Sequence, residues 1–158
     1  MDARRIIIGD VHGHYDGLMT LLEALAPGQK DQVYFLGDLI DRGPKSAQVV
    51  EFVRQSTYHC LRGNHEQLML GALLNGKVNP QMWTAWRYSG GEATVKSYVE
   101  LGLLPNEHLA WIKTLPLYLD LGDVWLVHAG VDPTLPLEEQ TQEQFCWIRR
   151  EFHNSTKP

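Results

Sequence analysis

An α/β fold built on a largely parallel sheet is what the sequence predicts, and three observations predict it. Short β-branched or aromatic runs alternate three times with segments whose apolar residues recur at helical spacing. Each of those runs ends in glycine beside Asp, His or Asn. The composition, with 158 residues, 44% hydrophobic and 21% charged, is that of one globular domain large enough to bury a core.

The elements follow in chain order. Ile6, Ile7 and Ile8 make a buried strand bounded by Gly9. "HYDGLMTLLEAL" places Leu18, Leu21, Leu22 and Leu25 on one helical face, and Pro27 and Gly28 stop it. "QVYFLGD" is the second strand, and "KSAQVVEFVRQ" the second helix, entered through Gly43 and Pro44. "YHCLRGN" is the third strand and "HEQLMLGALLNG" the third helix. Residues 77–115 change character: Trp83, Trp86 and Trp111 accompany the helical stretches "EATVKSYVELG" and "NEHLAWIKTL", which predicts a helical insert. Its tryptophans are expected to be the core of a cap or to shape a substrate groove, with Tyr88 and Glu92 at its border. "LYLDLGDVWLVHAG" reads as a β-hairpin turning at 121–123. "EEQTQEQFCWIRREF" reads as a last helix, and "HNSTKP" carries no pattern.

Composition excludes several classes of function. A net charge of −5 without a basic cluster does not favour nucleic-acid binding. No run is long enough to span a bilayer, and no apolar leader opens the chain. Cys60 and Cys146 lack a C-x-x-C spacing and read as reduced thiols of a cytoplasmic protein. No heptad seam argues for assembly, so a monomer is expected.

The polar residues fall at strand ends. The first strand runs into "GDVHG" (Asp10, His12), the second into "GDLIDRG" (Asp38, Asp41, Arg42), the third into "RGNHE" (Asn64, His65) and the last into "VHAG" (His128). In an open α/β sheet the carboxyl ends of the strands border the ligand crevice. Singly, each motif is ordinary turn chemistry. Together, Asp10, His12, Asp38, Asn64 and His128 form a nitrogen and oxygen donor set with no thiolate, which suits Mn²⁺, Fe or Zn²⁺. Five donors suit two cations sharing one carboxylate, about 4 Å apart, an arrangement that clamps a phosphoryl group.

"GDVHG … GDLIDRG … RGNHE … HAG" closely resembles the PPP-type, calcineurin-like metallophosphoesterases, in that family's order. "WRYSGGEATVKSY" and "FCWIRREF" resemble stretches of its bacterial and phage-lambda-like branch. The resemblance implies a sandwich of two sheets flanked by helices. It implies that Asp10, His12 and Asp38 hold one metal, and that Asp38, Asn64 and His128 hold a second. Arg42 and Arg149 would bind the substrate phosphate, with neighbouring Arg150 an alternative to Arg149. His65, oriented by Asp41, would be the general acid, and a two-metal-activated hydroxide the nucleophile. The implied activity is a serine/threonine protein phosphatase. Hydrolysis of symmetrical dinucleoside tetraphosphates, or binding of metal or phosphate without turnover, stands as the alternative. The partner is then a phosphoprotein or a small phosphorylated substrate.

One departure bears on that expectation. Family members carry a further metal histidine in a Gly-His-Thr context on a later strand, and none occurs here. The chain is therefore expected to be a C-terminally truncated member, without the strands that complete the second sheet and with a weakened second metal site. His153 lacks the required context, and His14, His59 and His108 are not expected to be ligands.

Overall fold

A computed structural model describes residues 3–73 and 77–156. Strands β1 (Arg5–Ile8), β2 (Gln32–Phe35) and β3 (His59–Cys60) form a parallel sheet in the order β1-β2-β3. Helix α1 (Tyr15–Leu25) crosses from β1 to β2, and α2 (Ser46–Gln55) from β2 to β3. Period-2 alternation sends Ile6, Ile8, Val33, Phe35 and Cys60 to one face, where they pack with Leu18 and Leu22 of α1 and Val49, Val50 and Val53 of α2. Consecutive crossovers stepping in one direction place both helices on that face.

The opposite face is covered by the expected hairpin, β4 (Tyr118–Asp120) paired antiparallel with β5 (Trp125–Val127). Leu126 packs on Tyr34 and Leu61, and Asp123 pairs with Arg5 at 2.6 Å. The two sheets are small, and Ile7 on β1 stays 48% exposed, so the hairpin covers only part of this face.

The third strand is shorter than the sequence predicts. Leu61 still donates to the Phe35 carbonyl, but Arg62 turns away and donates to Pro116, ahead of β4. Helix α3 (Asn64–Ala72) follows at once; Leu74, Asn75 and Gly76, the expected end of that helix, lie outside the described residues.

The insert comprises α4 (Pro80–Trp86), a π-turn (Arg87–Gly91), α5 (Glu92–Leu101) and α6 (Asn106–Thr114). The Asn79 carboxamide accepts from Gln81 and Met82 N–H, and Pro80 starts α4 without losing a helical bond. Trp86, Tyr98 and Ile112 join the main core, with Trp83 and Trp111 packed against it, so the insert is continuous with the sheet-and-helix core.

The last expected helix is broken in two: α7 (Gln142–Trp147) and α8 (Arg150–His153), with a 3₁₀ turn at Leu137–Glu139 before them. In an unbroken helix the Phe145 carbonyl would accept from residue 149. Here Ala129, just past β5, donates to it at 2.7 Å, and Ile148 leaves helical geometry at ψ 143°. Thr141 opens α7 afresh, with Gln144 reaching back to its N–H at 2.8 Å.

A partly buried polar chain ties the insert to α2. The His108 Nε2 donates to Glu51 at 2.7 Å, leaving Nδ1 to accept from the Tyr98 hydroxyl at 2.7 Å. Arg54 also pairs with Glu51, at 2.9 Å. The Arg54 hydrogen bond, opposed by burial and helped by His108, lowers the Glu51 carboxyl from 4.5 to about 2. A depressed carboxyl stabilises the fold fully above its unfolded value and loses that contribution as pH falls toward the folded value. Glu51→Gln is therefore expected to lower the melting temperature near neutral pH and to narrow its gap from wild type between pH 4.5 and about 2. Thermal unfolding followed by circular dichroism checks this, and a gap that stays constant over that window counts against it.

Candidate active site

Three loops carry the predicted residues to the carboxyl edge of the sheet. The backbone there is strained: His12, Asp38, Asp41 and Arg42 all have positive φ, at 46°, 50°, 74° and 68°. Non-glycine residues hold such conformations only when their surroundings over-determine them, and they gather at functional sites. The β2 loop and the β3–α3 turn touch glycine to glycine. A Cβ on Gly37 would sit 2.4 Å from the Gly63 nitrogen, so neither loop admits a side chain there.

Asp38 is the centre, with its side chain 4% exposed. Its Oδ2 lies 3.7 Å from His12 Nε2 and 3.9 Å from His65 Nε2; its Oδ1 lies 3.6 Å from His128 Nε2. Asp10, more exposed, lies 3.6 Å from His12. Two metal-compatible groups result, His12–Asp38–His65 and Asp10–Asp38–His128, and they share Asp38. Asn64 joins the second through its Oδ1, 2.8 Å from His128 Nε2.

The histidine tautomers follow from their other nitrogens. His12 Nδ1 donates to the Ile40 carbonyl and His128 Nδ1 to the Leu36 carbonyl, each at 2.8 Å. Each Nε2 is then a lone pair facing carboxylate or amide oxygen. Acceptors converging on acceptors are what a cation requires, so the donor set fits divalent metal ions.

His65 sits in the same cluster but has a different partner. Its Nδ1 donates to Asp41 Oδ2 at 2.6 Å, and both side chains are buried. Burial by itself lowers the His65 pKa; the Asp41 hydrogen bond and the Asp38 and Asp41 charges outweigh it, against Arg42, and the net shift is upward. Arg42 spans the cluster, with Nη1 donating to His12 Nε2 (3.0 Å) and Nη2 to His65 Nε2 (3.1 Å).

The structure thus brings together Asp10, His12, Asp38, Asp41, Arg42, Asn64, His65 and His128. Arg149 makes no hydrogen bond or ion pair to them. Its guanidinium donates to the adjacent Ile148 carbonyl at 2.9 Å, and it lines a recess with Asp132, Glu143 and Arg150. His153 lies against Phe152, His59 stacks on Tyr34, and His108 serves the Glu51 chain. Tyr88 is 90% exposed, and Glu92 pairs with Arg87.

Three further residues support the site: Glu66 and Thr94, to which the sequence assigned no role, and Trp86, which it placed in a cap core or a groove. Glu66, fully buried, accepts N–H from Asp38, Leu39 and Gly63, each at 2.8 Å. Burial and the nearby Asp38 charge push its carboxyl up, with those three amides opposing. Its place three residues past Gly63 was the available signal, being that of a capping glutamate. Trp86 and Thr94 both hydrogen-bond Asp41, and the signals for that region were the tryptophans of the insert and the "WRYSGGEATVKSY" stretch.

The calcineurin-like phosphoesterase family model matches residues 3–157. A symmetrical bis(5'-nucleosyl)-tetraphosphatase of Vibrio campbellii is 32% identical over 84% of this chain and 46% of its own length. Serine/threonine-protein phosphatase 1 of Salmonella typhimurium is 38% identical over 54% of this chain and 38% of its own. The crystal structure of a putative diadenosine tetraphosphatase superposes with a TM-score of 0.68 at 25% identity, over 92% of this chain and 58% of that one. The chain spans about half the length of the curated relatives it matches. A match that runs from residue 3 to residue 157 leaves almost nothing outside the family, and the protein belongs to the calcineurin-like metallophosphoesterases.

Proposed function

We propose that this chain hydrolyses phosphomonoesters, with phosphorylated serine and threonine side chains of proteins as its substrate class. One observation carries the reading: Asp38 is shared by two metal-compatible groups, His12–Asp38–His65 and Asp10–Asp38–His128, and His65 is set apart from the other donors by its pairing to the buried Asp41. Asp10, His12 and Asp38 would hold one divalent ion, and Asp38, Asn64 and His128 a second. The donor chemistry suits Mn²⁺, with Fe or Zn²⁺ also served. Such ions supply an activated water and offset charge on the phosphoryl oxygens.

The protein's own residues do the rest. Arg42 gives its donors to two imidazoles. A phosphate dianion is a stronger acceptor than either, and a bidentate guanidinium pair matches its geometry. Arg42 transferred to phosphate frees the His65 Nε2 lone pair, which takes up a proton from solvent, and the resulting imidazolium gives that proton to the leaving oxygen. Asp41 keeps Nδ1 protonated and stabilises the imidazolium. Among the described residues Arg42 is the one guanidinium hydrogen-bonded within the cluster, which suits one terminal phosphate better than a polyphosphate chain. Both cysteines are free and buried, which suits a reducing compartment.

A second reading, hydrolysis of symmetrical dinucleoside tetraphosphates, is favoured by a likeness that extends over 84% of the chain for the tetraphosphatase against 54% for the phosphatase. Comparing kcat/KM for a phosphothreonine peptide and for diadenosine tetraphosphate decides between them. A higher value for the peptide is expected, and a clear preference for the dinucleotide would replace the first reading with the second.

With Mn²⁺ and phenyl phosphate, whose leaving group is poor, His65→Asn is expected to lower kcat by roughly 10²–10⁴-fold with little change in KM. Wild-type turnover in that variant would remove His65 from the mechanism. Asp38→Asn is expected to cost both metal sites, since both groups share it. Bound Mn²⁺ counted by atomic emission should fall well below the wild-type stoichiometry, and an unchanged count would sink the bridging role.

A further inference from the structure

The Asp41 carboxylate is fully buried and receives more donors than His65 alone can provide. Trp86 Nε1 donates to both oxygens, at 3.0 Å and 2.9 Å. The Thr94 hydroxyl donates to Oδ1 at 2.7 Å, and His65 Nδ1 to Oδ2 at 2.6 Å. Thr94 and Trp86 are also buried, so water cannot replace either donor. The Thr94 oxygen in turn accepts from the Asp41 N–H at 2.9 Å and lies 3.0 Å from Ser46 Oγ.

The terminal torsion of an aspartate is soft, so its carboxylate plane is set by its partners. His65 alone would leave that plane free to turn. Trp86, gripping both oxygens, and Thr94, on the oxygen away from His65, fix it. Both belong to the insert, on α4 and α5. Between them the π-turn makes a second attachment: the Gly90 carbonyl accepts from Arg42 N–H at 3.0 Å. Gly91 lies against the Trp86 ring, where a Cβ would approach to 2.6 Å. The insert thereby holds the Asp41–Arg42 pair by side chain and by backbone, at the two residues with the largest positive φ among the non-glycine positions.

We propose that Trp86 and Thr94 are positioning residues for the reaction, locking the Asp41 carboxylate so that His65 is presented to the leaving group. The proposal rests on the reading of His65 as proton donor. An acid that protonates the leaving group matters most when that group leaves poorly. Loosening Asp41 therefore costs more on phenyl phosphate than on p-nitrophenyl phosphate, whereas general damage to the site costs both alike.

The test compares wild type, Trp86→Phe, Thr94→Val and Thr94→Ser with Mn²⁺ on both esters. In parallel, the proton on His65 Nδ1 is followed by NMR in the metal-free proteins, assigned by its loss in His65→Asn. Trp86→Phe and Thr94→Val are expected to lose about tenfold in kcat on phenyl phosphate, markedly less on the nitrophenyl ester, with KM little changed. Both should shift or broaden the Nδ1 proton, and Thr94→Ser, which keeps the hydroxyl, should restore rate and resonance. Equal losses on the two esters together with an unmoved resonance overturn the proposal. If Trp86→Phe does not fold, the Thr94 pair decides by the same criteria. If wild type turns over neither ester, the phosphatase reading fails, and the resonance alone decides whether the insert positions His65.

Discussion

A single buried carboxylate underlies the geometry of the whole centre. Glu66 accepts three backbone N–H groups from two separate loops, two after β2 and one before α3. Without it those donors would be buried and unpaired, at about 1–3 kcal/mol each. The tie is reciprocal, because Asp38 Oδ1 accepts the His65 N–H at 3.0 Å. Backbone and side chain of Asp38 are both held, and Asp38 is the residue both metal-compatible groups share. The placement of His12, His65 and His128 around it has meaning only because Asp38 cannot move.

From that tie the remaining parts can be ordered by what each fixes. The parallel sheet delivers three loops to one edge. The hairpin adds His128 from the other side and turns its ring by a bond to the Leu36 carbonyl. The insert looks peripheral in sequence, yet its Trp86 is only 1% exposed and its polar atom ends on Asp41. Core packing and site construction are therefore the same act in this region: the indole contributes its ring to the hydrophobic cluster and its N–H to the carboxylate.

What could be read from the sequence was what depends on short-range pattern. The β-branched runs and the helical spacing of Leu18 and Leu22 gave core positions, although Leu21 of the same expected face is exposed, and the Asp and His residues beside strand-end glycines gave positions that the structure draws into one polar cluster. What could not be read depends on contacts across the chain. At the break between α7 and α8 the Phe145 carbonyl accepts from Ala129, a contact across the chain that is invisible in "QFCWIRRE". Trp86 and Thr94 reach Asp41 across 45 and 53 residues, so no local spacing announces them. Glu66 was legible as a helix-start glutamate, but the two extra amides it holds come from 27 and 28 residues away.

The left-handed residues of the site place stability and chemistry in direct opposition. His12, Asp38, Asp41 and Arg42 each occupy a conformation that glycine would adopt without steric cost, where a side chain costs about 1–3 kcal/mol. Glycine would relax the loop, but at Asp38 and Asp41 it would also leave buried donors of His65, Trp86 and Thr94 unpaired, at about 1–3 kcal/mol each. The relief is least offset at Arg42, the exposed member of the four, which on the proposed reading is the phosphate donor. A library screened for resistance to heat alone would therefore reach glycine at that position first, and lose turnover with it.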